Sequence, residues 1–445
     1  MPRNQIWSII VGVFLMSSVF GLVYIEQQPK SSVQGISDEK QLILTPTNVI
    51  EKEVLPNMRV ISSRKWCIKH EKLTVDYTIC TIDIQLDKQL PQDKSIAVLF
   101  TDNVEIREFA TNKIDDMHYQ FKVDTKEWRP GRYSYKAVIK GTLSESPSQM
   151  LNVSLPLFVT WTIDWEGYDV ADKNLEAMGD LADEYQVPMT QMFNPRIFIA
   201  TDINAQRKKA MTEWVLDRNS KGDEIALHMH MNLDMITSIG MTPKTTPSWG
   251  GRTNGHDVLT TAYTYNEFTQ MLVWAKAKFE ENGLPEPVSY RAGGWFIGLE
   301  QLRALQDNGF ILDSSGRKSY VWGPNKQVGL WKLTETTMPY QPSKTNQNKS
   351  ATGNSALSIW EFPNNGMDST NNDTRMLKQA FDSNYRGQPL KQTQTLTYLS
   401  HANEFAKSDA PRMKALLEYI KVYKAEDDLG PVFYQTLEQS YNFWQ

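Results

Sequence analysis

Residues 160–167 read Thr-Trp-Thr-Ile-Asp-Trp-Glu-Gly and set two carboxylates, Asp164 and Glu166, at the end of an apolar run that begins at Leu155. An extended chain turns every second side chain to the same side, so both acids face one pocket. Carboxylates at a buried strand end are costly to desolvate unless a metal, a base or a cation pairs with them. A second cluster, Leu227-His-Met-His-Met-Asn232, repeats the spacing of two with His228 and His230. Two imidazoles in register and one carboxylate, with water in the open positions, are the ligand set of hydrolytic zinc sites.

Three more clusters follow. Arg291 stands in Ser-Tyr-Arg-Ala-Gly-Gly-Trp-Phe (289–296), where the two glycines let backbone approach closely. Asp313 stands in Leu-Asp-Ser-Ser-Gly (312–316), and a turn or helix cap is an equally good use for it. His401 stands in Leu-Ser-His-Ala-Asn-Glu (399–404). Each has a plain structural reading by itself, as a surface ion pair, a cap or a satisfied polar histidine. Five strand ends bearing acids, a His pair, Arg, Asp and His form a stronger pattern, because parallel α/β folds build their sites there.

The elements that must position these groups are legible as a change of rhythm. From residue 151 to 445 strand-like runs alternate with helical spacing: Leu175, Met178, Leu181, Ala182 and Tyr185 in one helix, and Phe268, Leu272, Ala275 and Phe279 in another. Between them lie the runs 224–227, 288–290, 310–312, 358–360 and 395–399. This alternation argues for a parallel sheet, open or closed into a barrel. Residues 339–354 are rich in Ser, Thr, Asn, Gln and Lys and read as a long surface loop. Residues 58–150 instead show short alternating runs at 73–79, 96–100, 118–123 and 133–139, the pattern of a small all-β sandwich of immunoglobulin-like type.

Ahead of the sandwich, residues 6–25 form an uncharged, mostly apolar run with Arg3 before it and Glu26 after it. That is long enough to span a bilayer, and the charge order keeps the N-terminus cytoplasmic. Residues 1–26 are therefore expected to be a signal anchor and 27–57 a polar linker. The rest of the chain is expected outside the cytoplasm, at a bacterial inner membrane. Cys67 and Cys80 are the only cysteines, and in an oxidising compartment they are expected to form a disulfide across two paired strands. A net charge of -5 gives no electrostatic reason to expect nucleic acid as a partner.

The order of the clusters resembles the polysaccharide deacetylase family, carbohydrate esterase family four. Its acid pair, His pair, Arg motif, later Asp motif and final His would here be Asp164 and Glu166, His228 and His230, Arg291 to Trp295, Asp313 to Ser315, and His401. Two departures stand out: Trp165 separates the acids, and the His pair is two apart, with Asn232 at the usual second position. A divergent branch with Asp-x-Glu, His-x-His and Arg-Ala-Gly-x-Trp is closer. The resemblance implies a distorted parallel (β/α) barrel and metal-dependent removal of N-acetyl groups from an extracytoplasmic glycan. It implies a divalent metal, zinc first, on Glu166, His228 and His230. Asp164 would be the general base, Arg291 its partner and His401 the general acid, with Trp295 and Asp313 toward the substrate. Either acid has the chemistry to be base or ligand; their order comes from the family. Competing readings are a non-catalytic glycan-binding or assembly protein on the same fold, and a hydrolase of O-acetyl esters or other amides. A non-haem iron oxygenase shares the two-His, one-carboxylate set but not the extra Asp, Arg and His.

Overall fold

Strand β1 (Leu157–Asp164) is buried along its whole length, so neither of its faces meets water. Its odd-numbered side chains, Leu157, Val159, Trp161 and Ile163, join the main apolar core. Period two then turns Thr160, Thr162 and Asp164 to the other side. A parallel sheet covered by helices on its outside and curled around its own inside has this double burial.

The computed structural model describes residues 54–73, 77–102 and 104–445. The expected anchor and most of the expected linker lie outside the described residues, among which no helix is long and apolar enough to cross a membrane.

From β1 the chain runs through β2 (Met189–Phe193), β3 (Glu224–Met229), β4 (Ser289–Ala292), β5 (Leu312–Asp313), β6 (Trp360–Glu361), β7 (Met367–Asp368), β8 (Gln394–His401) and β9 (Val432–Tyr434). Their order in the sheet is β6-β5-β4-β3-β2-β1-β8-β7, all pairs parallel, with β9 beside the first half of β1. Helices connect most neighbours, among them Asp172–Tyr185, Ala205–Ser220, Tyr265–Glu281, Leu299–Asp307, Thr374–Asn384 and Ala410–Ile420. The two helices expected from spacing bury those residues: Leu175, Met178, Leu181, Ala182 and Tyr185 in one, Phe268, Leu272, Ala275 and Phe279 in the other. The second starts on a capping box, Thr264 with Glu267.

The sheet curls until its two edges, β6 and β7, are joined by residues 362–366 alone. Asn365 seals this link with its side-chain amide, donating to the Thr395 carbonyl (2.9 Å) and accepting from the Thr397 amide (2.9 Å) of β8. Phe362 N–H reaches the Asp313 carbonyl (2.8 Å) and Gly366 N–H the Thr397 carbonyl (2.8 Å). The expected (β/α) barrel is thus a curled parallel sheet whose edge strands are bridged by a loop.

Residues 58–154 form two sheets of four and five strands around a shared core that includes Ile82, Ile84, Val98, Tyr135 and Val153. The expected runs at 96–100, 118–123 and 133–139 fall in the strands Ile96–Thr101, His118–Asp124 and Gly131–Ile139. Of the run at 73–79, residues 74–76 lie outside the described residues. The strand is Ile79–Leu86, because Cys80, Ile82, Ile84 and Leu86 are the alternating buried set. Cys67 and Cys80 form a disulfide, with Cα atoms 6.7 Å apart. It does not cross two paired strands: Cys67 belongs to the five-stranded sheet and Cys80 to the four-stranded one, so it bolts one sheet to the other.

A small apolar cluster of Trp66, Ile68, Tyr77, Phe158 and Phe433 joins these sheets to the start of β1. Asp428 reinforces it by accepting from the amides of Lys65 (2.6 Å) and Trp66 (2.8 Å). The N-terminal sheets therefore dock at the end of the barrel where β1 begins and leave the carboxyl ends of its strands clear.

The expected loop at 339–354 is partly structured. Pro342–Ser343 and Asn346–Ser350 pair antiparallel, and Tyr340 and Gln347 are buried. Tyr340 donates from its hydroxyl to the Gln347 carbonyl (2.6 Å), and the Gln347 amide donates to the Ile297 carbonyl (3.0 Å). Polar composition hid this packing because Gln347, the buried side chain of the second hairpin strand, is itself an amide.

Replacing Cys67 and Cys80 together by alanine is expected to cost about 2–4 kcal/mol through lost constraint on the unfolded chain. Thermal unfolding of the double variant measures it, and an unchanged midpoint would show that packing alone holds the two sheets.

Candidate active site

Register brings the chemical groups together before any side chain turns. Asp164 pairs with His401 across β1 and β8, and His228 with Arg291 across β3 and β4. Just past the strand ends, a cavity of about 390 Å³ is lined by Asp164, Glu166, His228, His230, Trp295 and His401.

Arg291 lies behind this cavity and is completely buried. Its guanidinium donates to Asp164 Oδ1 (2.8 Å), Thr162 Oγ1 (2.7 Å), the Ser314 carbonyl (2.8 Å) and Ser314 Oγ (2.8 Å). A buried charge survives only with such complete pairing. Asp164 thereby lines the cavity with one oxygen committed to the guanidinium.

Glu166 follows the strand and is turned inward by Gly167, whose φ of +81° suits glycine. Between the acids, Trp165 points the opposite way. It is buried against Phe193 and Trp214, and its indole N–H donates to Gln191 Oε1 (2.9 Å). Extended geometry at 164–166 thus uses the intervening residue as an anchor while both acids face the cavity.

The two histidines are oriented by main chain. His228 Nδ1 lies 2.9 Å from the Arg291 carbonyl and His230 Nδ1 lies 2.9 Å from the His256 carbonyl. A carbonyl only accepts, so each Nδ1 carries the hydrogen and each Nε2 is directed at Glu166. His230 Nε2 is 2.7 Å from Glu166 Oε2, and His228 Nε2 is 3.8 Å from Oε1. Burial pushes the His228 pKa down to about 4, so it is neutral near pH 7 and Nε2 keeps its lone pair. That Nε2 is buried without a hydrogen-bond partner among the described residues. Burial by itself would raise the Glu166 pKa, but His230, His256 and His401 together hold it well below the usual carboxylate range.

An orphaned imidazole nitrogen, a second imidazole with the same tautomer and an ionised carboxylate are what a divalent cation requires. One ligand atom from each of Glu166, His228 and His230 lies within 4.8 Å of the others. Asp164, Glu166 and His401 also meet this distance. Asp164 is already committed to Arg291, so the first set fits a cation better.

His401 closes the other side, with Nε2 3.5 Å from Glu166 Oε1. Burial lowers its pKa, but Asp368, Glu166 and Asp164 more than offset that and raise it overall. Trp295 lines the cavity but is only 4% exposed, with Arg317 stacked 3.9 Å over its ring. Asp313 does not reach the cavity. It is fully buried on β5, accepts from Ser315 Oγ (2.7 Å) and pairs in register with Glu361. Burial raises the Asp313 pKa despite Glu361, Ser315 and Arg291, and burial together with Asp313 raises Glu361 as well. The carboxyl expected toward substrate is therefore part of the packing beside Arg291.

Sequence reading missed His256. Its ring stacks on His230 (3.7 Å between centroids) and Nε2 lies 2.8 Å from Glu166 Oε2, while Nδ1 lies 3.1 Å from Asp257 Oδ1. Its signal was faint but present: four of the chain's six histidines are in this site, and His256 is followed directly by an acid. Tyr168, Trp249 and Trp322 complete the walls. Gly293 permits a close approach of backbone to imidazole, since a Cβ there would lie 2.6 Å from His230 Nδ1.

No family profile and no curated relative matches the chain. Among solved structures it is similar to a protein of Mycobacterium smegmatis described as a presumptive polysaccharide deacetylase, at 15% identity and a TM-score of 0.38 over 64% of this chain and 89% of that one. It is also similar to a family 4 acetyl xylan esterase of Clostridium thermocellum in complex with a cobalt ion, at 11% identity and TM-score 0.33 over 64% and 90%. A peptidoglycan deacetylase of Bacillus subtilis matches at 10% identity and TM-score 0.33 over 65% and 92%. At these identities and scores, neither activity nor substrate passes to this chain.

His228→Ala is expected to weaken divalent-metal binding by more than the ~10–100-fold that loss of an outer partner costs. Gly293→Ala is expected to weaken it as well, by displacing His230. Titration calorimetry with zinc measures both, and wild-type affinity in both variants would remove Glu166, His228 and His230 as the ligand set.

Proposed function

We propose that this chain is a metal-dependent hydrolase that removes N-acetyl groups from an extracytoplasmic glycan. One observation carries the reading. Two imidazoles, each with Nδ1–H committed to a main-chain carbonyl, direct Nε2 at Glu166, beside a second carboxylate held by a buried arginine. Glu166, His228 and His230 would hold a divalent cation, zinc being the ion that such a set suits best. With the cation bound, the site gains a Lewis acid for the acetyl carbonyl and a water acidified toward a pKa of ~7.

The remaining steps belong to the chain's own side chains. Asp164 has one oxygen on Arg291 and is the carboxylate placed to accept the water's proton. His401 faces the same space from β8 and is placed to protonate the departing amine through Nε2. Tyr168, Trp249, Trp295 and Trp322 supply aromatic walls of the kind that pack against sugar rings. The Cys67–Cys80 disulfide supports an oxidising compartment, and the apolar run at 6–25 supports anchorage to a bacterial inner membrane.

The test is acetate release by the purified full-length protein from N-acetylated chitin oligomers, peptidoglycan and exopolysaccharide fragments, with O-acetylated xylan as the ester arm. Asp164→Ala is expected to lower kcat by about 10²–10⁴-fold while metal content stays at the wild-type level. Metal-loaded wild type that releases acetate from none of these would sink the reading, and release confined to the ester would reassign the bond.

A further inference from the structure

His401 has a carboxylate in view on its outer edge, but that is not its hydrogen-bond partner. Asp368 Oδ1 lies 3.8 Å from His401 Nδ1, beyond hydrogen-bond range. Asp368 is occupied elsewhere, accepting from the Thr370 amide (2.8 Å) and from the Asn371 side chain. The group that meets His401 Nδ1 is the Thr370 hydroxyl, at 2.7 Å. The same hydroxyl lies 2.9 and 3.1 Å from the two oxygens of Asp409.

Proton counting gives this chain a direction. A hydroxyl has one hydrogen, and an ionised carboxylate can only accept. Thr370 therefore donates to Asp409 and accepts from His401 Nδ1–H. A second line ends on the same carboxylate with the same sense. The Trp161 indole, a donor only, gives to Ser400 Oγ (3.0 Å). Ser400 Oγ is 2.7 Å from Ser369 Oγ, and Ser369 donates to Asp409. Asp409 is completely buried at the end of a π-helical turn, Phe405–Asp409, directly before the helix Ala410–Ile420. Burial raises its pKa overall, against Ser369, His401 and Thr370, which favour its charged form.

We propose that Thr370 is a positioning residue, linking His401 to the buried Asp409 through its hydroxyl and holding the ring in the Nδ1–H tautomer with Nε2 toward Glu166. Its catalytic consequence rests on the function proposed above; the tautomer does not. With Nδ1–H held, Nε2 is the ring nitrogen left to exchange a proton with the departing group, and the ring keeps its plane through the exchange. Asp368 acts on His401 only at a distance and through the Thr370 main chain.

The test has two independent arms. In the full-length protein labelled with 15N-histidine, ring nitrogen shifts report the His401 tautomer, assigned by its loss in His401→Gln. Wild type and Thr370→Ser are expected to show Nδ1–H, while the near-isosteric Thr370→Val and Asp409→Asn lose it. On the fragment that wild type deacetylates, Thr370→Val is expected to lose kcat by roughly 10–100-fold, the range for removing a partner that orients a working imidazole. KM should stay within about twofold of wild type, as expected when only transition-state interactions are lost, and Thr370→Ser should restore kcat. A Thr370→Val protein that keeps both the Nδ1–H signal and wild-type kcat overturns the proposal. So does loss of the tautomer in Asp368→Asn with none in Thr370→Val. If wild type turns over no glycan, the proposed function falls while the ring shifts still decide the link to Asp409.

Discussion

The ion pair between Arg291 and Asp164 sets the terms for the rest of the molecule. In sheet order β4 and β1 are separated by β3 and β2, so in a flat sheet they would lie about 14 Å apart. The guanidinium nevertheless meets Asp164 and Thr162 on β1 and Ser314 just beyond β5. Only a strongly curled sheet brings those strands within reach of one side chain. Curvature and ion pair therefore require each other: the curl permits the contact, and without it two charges would be stranded where each costs several kcal/mol.

Around that pair the site is arranged by main chain as much as by side chains. The Arg291 carbonyl fixes the tautomer of His228 while the Arg291 guanidinium holds Asp164, so one residue orients a member of each functional group. Glu166 is the meeting point of the histidines, with His230 and His256 on one oxygen and His228 and His401 near the other. Such convergence keeps the carboxylate charged in a buried place. Trp165 makes it possible by turning away into the packing beside Phe193 and Trp214.

The N-terminal sheets take part in this only indirectly. Their apolar contact with the barrel runs through Phe158 and Phe433, near the start of β1 and on β9, beside the hydrogen bonds of Asp428. Asp164 lies six residues further along the strand from Phe158, about 20 Å of extended chain. A support at that end steadies β1 without covering the cavity, whose walls come from the loops after the strands.

The sequence by itself determined the parts that follow from period and local order. Asp164 with Glu166 and His228 with His230 face common space because extended chain has a period of two, and Arg291 and His401 were visible as polar groups ending apolar runs. The two amphipathic helices were equally legible, since 3.6-residue spacing is a local property. Tertiary structure decided what depends on contact between distant segments. His256 reaches Glu166 across 90 residues of sequence, from a loop with no periodicity to announce it. Asp313 stands at a strand end like the others, yet its neighbour Glu361 and the packing behind Arg291 draw it away from the cavity. Cysteine spacing suggested a bond but not that it would join opposite sheets. Thr370 and Asp409 carry no motif, because a hydroxyl becomes a link between an imidazole and a carboxylate only when folding places one on each side of it.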